Sequence, residues 1–248
     1  MKISIITVSY NSASTIKDTF DSIRIQNYKN IEYIVIDGGS NDNTLNIINS
    51  NKDIISNWIS EKDNGIFDAF NKGVALASGD IVGILNSDDF YANKNVIDNV
   101  ANAFSNQKVD SVYGNLLYVD PLNTNKIIRK WIDKSPYDRN RFNYGWMPAH
   151  PTFFVKKNKY NLHGVFNPSF RYAADYELML RFLFKHKISS YHIPEILVKM
   201  RTGGNSNSSI KNRLKGSKED LKAWQVNNLK QNYFIVVMKI IRKFKQFF

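Results

Sequence analysis

The sequence predicts an α/β fold with a mixed, mainly parallel sheet flanked by helices, because short β-branched strands alternate with amphipathic helices over the first hundred residues. Strands are predicted at 2–9, 31–36, 54–59 and 80–85, and helices from about 14, around 45–48, at 66–77 and at 96–104. Strands that alternate with helices in this way build a parallel sheet with right-handed crossovers. The chain of 248 residues is long enough for one sizeable domain and an appendage.

After residue 107 this alternation ends, which indicates a second, differently built half. The later pattern predicts strands at 109–119 and 126–131, a polar loop at 133–145, a strand at 152–155, a helix at about 175–185 and a strand at 188–199. Residues 203–209 have the composition of a flexible joint, and the remainder is typical of a basic helix.

Composition excludes several classes of protein. Hydrophobic residues make up 43% and charged residues 23% of the chain, which is typical of a globular protein and not of a disordered or fibrous one. The absence of cysteine excludes disulfides, cysteine-ligated metals and thiol catalysis. No apolar run reaches the roughly 18 residues that a membrane span needs, so a cytoplasmic location is expected.

Charge is distributed unevenly along the chain. Residues 1–150 contain 15 Lys/Arg and 17 Asp/Glu, whereas residues 151–248 contain 19 Lys/Arg and 5 Asp/Glu. A basic half of this kind suggests a polyanion or an anionic membrane as a partner, and a simply solvated basic surface is the alternative.

Three aspartates follow predicted strands at regular spacing. Asp37, Asp63 and Asp88 each lie just past a strand end, one βα unit apart. Because the carboxyl ends of parallel strands meet at one edge, we expect these carboxylates to converge in the crevice where open α/β sheets bind ligands. Turn formation or helix capping is the alternative for each aspartate taken singly.

The absence of two known motifs excludes some classes of ligand for this crevice. Neither a Gly-x-Gly-x-x-Gly fingerprint nor a P-loop is present, which disfavours a dinucleotide and a glycine-held phosphate. The acidic turn at 86–89 suits a hard divalent cation whose remaining positions are filled by water and phosphate oxygens. A diphosphate bridged by a metal ion is therefore the predicted ligand.

Four motifs in this order resemble those of the GT-A family 2 glycosyltransferases: Val8-Ser9-Tyr10-Asn11, Asp37 to Thr44, Asp63-Asn64-Gly65 and Asn86-Ser87-Asp88-Asp89. The resemblance covers roughly residues 2–200. It implies a GT-A (Rossmann-like) fold and an inverting transferase that moves one sugar from a nucleotide-sugar to an acceptor hydroxyl. Residues 1–105 would then be the nucleotide-sugar-binding half, 106–204 the acceptor-binding and catalytic half, and 205–248 a basic helical extension.

The same resemblance implies roles for individual residues. Tyr10 would stack on the base, Asp37 would bind the base, Asp63 would border the nucleotide, and Asp88 would ligate Mn²⁺ or Mg²⁺. The full set expected to bind the nucleotide-sugar is Ser9, Tyr10, Asp37, Asp63, Lys72, Asn86 and Asp89.

The chain departs from the family pattern in three places. Asn86 replaces the first acid of Asp-x-Asp, so metal affinity could be weaker unless Asp89 compensates. The family's frequent Ala-Arg-Asn-x-Gly is here Ala69-Phe70-Asn71-Lys72-Gly73, so a phosphate contact from that arginine would have to come from Lys72 or elsewhere. The Gln-x-x-Arg-Trp signature of processive synthases is absent, which favours transfer of a single sugar.

A general base is expected at the start of the helix near residue 175. An aspartate at a helix start is stabilised in its ionised form by the helix dipole. The resemblance implies that Asp175 is the base, although Ala174 replaces the glutamate that usually precedes it. Glu177 is the fallback and is otherwise assigned to the acceptor site. A simple N-cap is the alternative interpretation of Asp175.

Two further segments have patterns suited to a site. Trp146 and His150 precede a predicted strand, where an aromatic face suits a sugar ring and an imidazole suits a hydroxyl or phosphate, so both are predicted to bind the acceptor. Arg201 begins a segment that resembles the family's closing loop and would meet the diphosphate. Structural packing and a solvated turn are the respective alternatives.

The C-terminal tail combines an apolar stripe with basic charge. Tyr233, Val237, Ile240, Ile241, Phe244, Phe247 and Phe248 share one helical face. Residues 205–248 contain 10 basic and 2 acidic residues. Such a helix is typical of one lying in an anionic membrane interface, and a helix docked on the catalytic domain is the alternative.

These observations predict a metal-dependent glycosyltransferase of polysaccharide or glycolipid assembly. Its donor would be a nucleotide-sugar, with UDP the expected nucleotide, and its acceptor a glycan or lipid-linked glycan at the inner face of the cell membrane. A nucleotide-binding regulatory module without turnover is the alternative that Asn86 and Ala174 keep open. Nucleic acid is not an expected partner, because the basic residues accompany an apolar stripe and not interleaved base-stacking aromatics.

Overall fold

The computed structural model describes residues 1–203, 210–230, 233–244 and 246. Within these residues, nine strands form one mixed sheet with helices on both faces. The strands are β1 (Ile3–Ser9), β2 (Ile31–Asp37), β3 (Asn57–Ser60), β4 (Ile81–Ile84), β5 (Asp89–Tyr91), β6 (Ser111–Val119), β7 (Ile127–Trp131), β8 (Phe154–Lys156) and β9 (Ser190–Arg201).

The helices follow the predicted alternation in the first half and stand closer together in the second. They are α1 (Ile16–Arg24), α2 (Thr44–Asn49), α3 (Ile66–Leu76), α4 (Val96–Gln107), α5 (Lys157–His163), α6 (Ala174–Met179), α7 (Ile210–Val226) and α8 (Phe234–Phe244). A π-helical turn at Leu180–Lys185 prolongs α6, and short 3₁₀ helices occur at Arg139–Tyr144 and His150–Thr152.

The strand order is β3-β2-β1-β4-β8-β6-β9-β5, with β7 pairing to β6 outside this path. The four N-terminal strands β3, β2, β1 and β4 are parallel, and their register places Ser9 beside Asp37 and Asp37 beside Ser60. Beyond β4 most pairings are antiparallel, and β6 with β9 is the parallel exception. The mixed α/β sheet agrees with the sequence prediction.

Strand periodicity divides the core between the two faces of the sheet. In β1, Ile6 and Val8 pack in one hydrophobic cluster, whereas Ile3 and Ile5 pack in the other. Alternating side chains of a strand point to opposite faces, so a strand covered by helices on both sides must be apolar throughout. This explains why β1 is continuously buried.

Three short elements were not anticipated from the sequence. The strand β5 directly follows the acidic turn and pairs with β9. A strand from the first half of the chain therefore lies in the sheet beside a strand from the second half. The helix α5 follows β8, and the predicted loop at 133–145 contains a 3₁₀ helix. Each is too short to produce a periodicity that distinguishes it from a loop. Most of the expected joint at 203–209 lies outside the described residues.

Candidate functional site

A cleft of about 2100 Å³ opens at the carboxyl ends of the parallel strands. We call residues 8–88 that line it the N-terminal wall and those from 118 onward the C-terminal wall. The motifs after β1, β3 and β4 contribute Tyr10, Asp63 and Asp88 to the N-terminal wall. The convergence expected from strand topology is therefore present at this edge of the sheet.

Asp37 lies beneath the cleft and is fully buried. Its Oδ1 accepts hydrogen bonds from the hydroxyls of Ser9 (3.0 Å) and Ser40 (2.5 Å). Its Oδ2 accepts from the backbone N–H of Gly39 and Ser40 and from the Ser60 hydroxyl. These bonds tie the ends of three strands together, so Asp37 and Ser9 shape the floor of the site. Their contact with a nucleotide remains a prediction.

Tyr10 and Asp63 form the outer part of the N-terminal wall. The Tyr10 side chain is 62% exposed, which leaves a ring face available for stacking. Asp63 Oδ1 accepts a hydrogen bond from the backbone N–H of Gly65 at 2.9 Å, and Asp63 also packs against Gly38. A Cβ at Gly38 would lie 2.5 Å from Asp63 Oδ2, so the close approach of the two loops requires glycine there.

The acidic turn after β4 presents Asp88 to the cleft and turns Asp89 inward. Burial raises the pKa of Asp88, while the positive charges of Arg201 and His150 act in the opposite direction. Asp89 is fully buried, and its Oδ2 accepts a hydrogen bond from Asn86 Nδ2 at 3.1 Å. Burial, and then the charge of Asp88, raises the pKa of Asp89 well above its usual range. Asp89 thus orients Asn86 from below and does not line the cleft.

The oxygen atoms of this turn suit a hard divalent cation in part. The Asp88 carboxylate faces the cleft, and the buried Oδ1 of Asn86 accepts no hydrogen bond from any residue that the structure describes. Carboxylate and amide oxygens are ligands that Mg²⁺ and Mn²⁺ accept. Within the same residues no group of three or more His, Cys, Asp or Glu side chains is placed to hold a metal ion. Most of the coordination sphere would therefore come from the ligand and water.

On the C-terminal wall, His150 lies between the two carboxylates that the sequence singled out. Its Nδ1 is 3.2 Å from Asp175 Oδ2, and its charge also acts on Asp88. Asp175 begins α6, where its Oδ1 accepts a hydrogen bond from the backbone N–H of Tyr176 at 2.8 Å. Both Asp175 and His150 line the cleft. The structure therefore brings the expected base, an imidazole and the acidic turn into one site.

Glu177 differs from expectation, because its carboxylate points into the core. It is 2% exposed and forms a bidentate ion pair with Arg181, with N···O distances of 2.9 and 3.0 Å. Asn227, which directly follows α7, donates a further hydrogen bond of 2.9 Å to it. Glu177 therefore holds α6 against α7 and contacts neither the cleft nor an acceptor within it.

Lys72 also lies outside the cleft. Its Nζ forms ion pairs with Glu61 at 2.7 Å and with Asp68 at 3.6 Å, and the Glu61 contact raises the pKa of Lys72. Because both partners belong to the region around α3, these ion pairs hold Lys72 along the helix flank. A phosphate contact from this lysine is not supported by its position.

Trp146 is a buried part of the C-terminal wall. Its ring packs edge-on against Tyr113 and Phe142, and its indole N–H donates a hydrogen bond of 3.1 Å to Asp133. Arg141 forms a bidentate ion pair with the same Asp133 and stacks on the Trp146 ring. Trp146 thus positions Arg141 at the cleft, and its own contact with an acceptor remains a prediction.

Arg201 is buried and braces the acidic turn from behind. Its Nη1 donates a hydrogen bond of 2.8 Å to the backbone oxygen of Asp88, and its Nη2 forms an ion pair with Asp18. The guanidinium also lies 5.1 Å above the ring of Phe90. Its contribution to the site is to fix the turn that carries Asp88.

The helix α8 docks on the body of the protein with one face and exposes the other. Ile235 is fully buried, and Lys239 forms an ion pair of 2.6 Å with Asp220 of α7. The opposite face exposes the large apolar side chains Phe234, Val237, Ile240 and Ile241. Docking on the catalytic domain is therefore observed for one face of α8, and contact of the exposed face with a membrane remains a prediction. Phe247 and Phe248 lie outside the described residues.

The two walls of the cleft carry opposite charge. Among the described lining residues, the N-terminal wall has three aspartates and no lysine or arginine, whereas the C-terminal wall has eight lysines and arginines and three aspartates. The cationic residues were not identified from the sequence, because they come from separate segments without a shared motif. The uneven charge of the two chain halves signalled only the cationic residues beyond position 150, because Arg129, Lys130, Lys134 and Arg141 lie in the half with more acidic than basic residues.

No helix within the described ranges has both the length and the apolar content to cross a bilayer.

A Rossmann-like sheet with an acidic turn and a base across one cleft defines the class of GT-A glycosyltransferases. The sequence model of the family described as "Glycosyl transferase family 2" matches residues 4–176. The chain belongs to this glycosyltransferase family.

Similar proteins agree with this membership. An uncharacterised glycosyltransferase of Mycobacterium tuberculosis is 33% identical over 183 residues, which are 72% of this chain and 68% of the relative. A PGL/p-HBAD biosynthesis glycosyltransferase of Mycobacterium bovis is 29% identical over 187 residues, with the same two coverages of 72% and 68%.

Two solved structures share the fold. TarS 1-349 of S. aureus in complex with UDP-GlcNAc has a TM-score of 0.76 at 16% identity, covering 99% of this chain and 73% of that one. The mannosyltransferase PcManGT of Pyrobaculum calidifontis, in complex with GDP-Man and Mn²⁺, has a TM-score of 0.68 at 16% identity, covering 97% and 69%. The predicted GT-A fold is thereby confirmed.

Proposed function

We propose that this glycosyltransferase is an inverting enzyme that moves one sugar from a nucleoside-diphosphate sugar to an acceptor hydroxyl. The observation that carries the proposal is the juxtaposition of Asp88, His150 and Asp175 across a single cleft. The N-terminal wall binds the donor, and the C-terminal wall supplies the base and binds the acceptor.

The Asp175 carboxylate accepts the proton of the acceptor hydroxyl as its oxygen bonds to the anomeric carbon of the sugar. The bond between that carbon and the diphosphate oxygen breaks, and the electron pair leaves with the nucleoside diphosphate. One displacement from the face opposite the leaving group inverts the anomeric centre. His150 lies 3.2 Å from Asp175 and keeps the carboxylate directed into the cleft.

Donor binding on the N-terminal wall requires compensation of charge. A diphosphate would face Asp63, Asp68 and Asp88 without a lysine or arginine among the described residues of that wall. Asp88, with the amide oxygen of Asn86 beside it, would hold a divalent cation, and such a cation would supply the positive charge that a diphosphate leaving group requires. Metal dependence is therefore part of the proposal.

UDP is the proposed nucleotide of the donor. Its support is the structural likeness to TarS in complex with UDP-GlcNAc. GDP is the alternative nucleotide to test, because PcManGT, which shares the fold, is in complex with GDP-Man. Thermal-shift measurements with UDP- and GDP-sugars, with Mn²⁺ and with chelator, test this choice. We expect UDP-sugars with Mn²⁺ to raise the melting temperature most.

Release of nucleoside diphosphate from the same panel tests turnover. We expect release that depends on Mn²⁺ or Mg²⁺ and increases when an acceptor is added. Binding of a nucleotide-sugar without any release would favour the regulatory module instead, since Asn86 replaces an acid in the metal-binding turn.

We also propose that the acceptor is lipid-linked and that the enzyme is peripheral on the inner face of the cell membrane. The support is the exposed apolar face of α8, in which Val237 is 51% and Ile240 is 64% exposed, within the basic half of the chain. Apolar side chains at the headgroup boundary, with nearby lysines and arginines, bind anionic lipid surfaces.

Vesicle co-sedimentation tests membrane binding. We expect the double substitution Val237→Ser and Ile241→Ser to lower binding to phosphatidylglycerol vesicles by about tenfold, because two partly exposed apolar side chains lose their lipid contact. Leu122→Ser is the matched control, since Leu122 is 97% exposed on the turn between β6 and β7. Equal loss in the control and the double variant would contradict the assignment of α8.

A further inference from the structure

The helix α6, which carries Asp175, begins without a capping side chain of its own. Its N-cap residue is Ala173, and no side chain there forms a capping hydrogen bond. The first N–H groups of a helix have no partner within the helix, and alanine has no side-chain oxygen to supply one. The position of the helix start therefore depends on a group from elsewhere in the chain.

The carboxylate of Glu219, on α7, supplies that group. Its Oε2 accepts hydrogen bonds from the backbone N–H of Tyr172 at 2.7 Å and of Ala173 at 2.9 Å. The backbone N–H of Arg171 lies 3.0 Å from Oε1 and 3.2 Å from Oε2. Hydrogen bonds to a carboxylate are charge-assisted and stronger than neutral ones. The three residues that donate line the cleft, whereas Glu219 lies behind them.

The backbone of Ala173 links Glu219 to the base. Its N–H donates to Glu219, and its carbonyl oxygen accepts a hydrogen bond of 2.9 Å from the backbone N–H of Glu177 in α6. Asp175 lies within this first turn, with its Oδ2 3.2 Å from His150 Nδ1. A shift of residues 171–173 therefore moves the base, and a misplacement of about 1 Å costs roughly a hundredfold in rate.

Other contacts hold α7 on the protein without Glu219. Lys222 Nζ donates to the backbone oxygen of Ser169 at 3.0 Å and to its hydroxyl at 3.2 Å. The indole N–H of Trp224, which is 2% exposed, donates a hydrogen bond of 2.8 Å to the Tyr176 hydroxyl. The docking of α7 is thus shared among several side chains, whereas the bonds to residues 171–173 come from Glu219.

We infer that Glu219 is a positioning residue for glycosyl transfer, which holds residues 171–173 so that α6 presents Asp175 to the attacking hydroxyl. The inference rests on the proposed function. It acts through the backbone, since Glu219 lies outside the lining of the cleft. It also gives α7, which lies beyond the residues 4–176 that match the family model, a part in the reaction.

Release of nucleoside diphosphate from UDP-GlcNAc and GDP-Man in Mn²⁺ tests the full chain. Water serves as the acceptor, so the assay needs no acceptor glycan. We expect Glu219→Ala to lower kcat by about tenfold to a hundredfold and to leave the donor KM unchanged, because the base moves and the donor wall does not. Glu219→Gln retains an amide oxygen for the N–H groups, so it should recover part of the rate. An unchanged kcat in Glu219→Ala would overturn the inference.

A double-mutant cycle with Asp175→Asn separates positioning of the base from a general structural role. Two residues that act on one step through each other have non-additive effects. We expect Glu219→Ala to lower the residual rate of the Asp175→Asn enzyme by less than twofold. A loss of tenfold or more in both backgrounds would show that Glu219 acts independently of the base, which contradicts the inference.

Lys222→Gln is the matched control, because Lys222 contacts the same loop from the next turn of α7. We expect its kcat to stay within twofold of the unmodified chain. An equal loss in Lys222→Gln and Glu219→Ala would assign the effect to general loosening of the loop. Amide hydrogen exchange adds a readout without turnover: Glu219→Ala should speed exchange at residues 171–173 and leave α7 unchanged. Faster exchange throughout α7 would count against a local role.

The same measurements distinguish failure of the inference from failure of the proposed function. Ordinary turnover by Asp175→Asn, or no release of nucleoside diphosphate by the unmodified chain, would overturn the proposed function and this inference with it. A large loss of rate in Asp175→Asn, with none in Glu219→Ala, would overturn the inference alone.

Discussion

The two walls of the cleft differ in the elements that build them and in the charge that they present to a ligand. The N-terminal wall is built from loops that follow parallel strands, and its charged lining residues in the described structure are all aspartates. The C-terminal wall is assembled from a 3₁₀ helix, α6, α7 and α8, and most of its charged lining residues are cationic. A diphosphate on the N-terminal wall would therefore need a compensating cation, whereas an anion on the C-terminal wall would meet lysines and arginines directly.

The two walls also differ in whether their residues are brought together by local strand topology or by tertiary packing. Each residue of the N-terminal wall lies within a few positions of a strand end, so strand topology alone brings Tyr10, Asp63 and Asp88 together. Arg141 and Arg242 are a hundred residues apart and meet only because α8 docks on the 3₁₀ helix. Sequence motifs therefore identify residues of the N-terminal wall, whereas the cationic residues of the C-terminal wall are identified only from the packing of the folded chain.

The largest expected effect is on the base that stands between the walls. We expect Asp175→Asn to lower kcat by about a thousandfold, because an amide does not accept the proton of the acceptor hydroxyl. Nucleotide binding to the other wall should be retained, since Asp175 acts only on the attacking group. Single-turnover transfer together with titration of UDP measures both. Ordinary turnover by the Asp175→Asn enzyme would contradict the assignment of Asp175 as the base.

Glu177→Gln is the matched control for Asp175→Asn, two residues further along the same helix. It breaks a buried ion pair with Arg181, so we expect a loss of about 3 kcal/mol in the free energy of unfolding. Urea denaturation measures this loss. Any residual folded enzyme should turn over at a rate far above that of Asp175→Asn, because Glu177 does not contact the cleft.

Sequence could predict the strand-end residues of the N-terminal wall and only part of the C-terminal wall. The strand-end positions of Asp63 and Asp88 follow from periodicity, and Asp175 follows from its place at a helix start. The inward orientation of Asp89 and Glu177 could not be predicted, because adjacent acids in a motif carry no information about which of them faces solvent. Likewise, Lys72 pairs with Asp68 one turn earlier on α3 and also with Glu61 just after β3, and only the folded chain reveals the Glu61 contact.

The next prediction concerns Glu32, a buried glutamate of the N-terminal half that can be compared with Glu177 of the C-terminal half. Glu32 joins β2 to the residues before β4, accepting hydrogen bonds from Lys2, Ser4 and Ser78. Burial alone would raise the pKa of Glu32, but these hydrogen bonds outweigh it and lower the pKa to about 2 from the ordinary 4.5. Since the folded pKa is the lower one, the ionised carboxylate stabilises the fold above pH 4.5.

This stabilisation should be lost as the pH falls from about 4.5 toward 2, because the carboxylate then becomes protonated in the folded state as well. The shift corresponds to about 3 kcal/mol at neutral pH. Unfolding titrations at pH 7, 4 and 3 measure it, with Glu32→Gln as the reference. A Glu32→Gln variant whose stability falls as steeply with acid would assign the pH dependence to other carboxylates.

A smaller effect tests whether the acidic wall needs a cation. We expect Asp88→Asn to weaken nucleotide-sugar binding by about tenfold to a hundredfold in Mn²⁺, since one charged oxygen ligand is lost. Binding in chelator should change far less. Asp68→Asn is the control on the same wall, because Asp68 accepts a hydrogen bond from the backbone N–H of Asn64 and pairs with Lys72. Equal losses in both variants would indicate a general effect of charge.

The smallest effect concerns the rim of the donor wall, where a single ring is held out to solvent. We expect Tyr10→Ala to weaken UDP binding by about tenfold, and Tyr10→Phe to restore it, because stacking on a base needs the ring face and not the hydroxyl. Tyr233→Ala is the matched control, since that ring is similarly exposed but directly precedes α8.

The outcome for Tyr10→Ala therefore tests where on the N-terminal wall the nucleotide base binds. Retained UDP affinity in Tyr10→Ala would contradict the stacking assignment. The nucleotide base would then have to contact another part of the N-terminal wall, such as the segment 63–67, where the side chains of Ile66 and Phe67 also line the cleft.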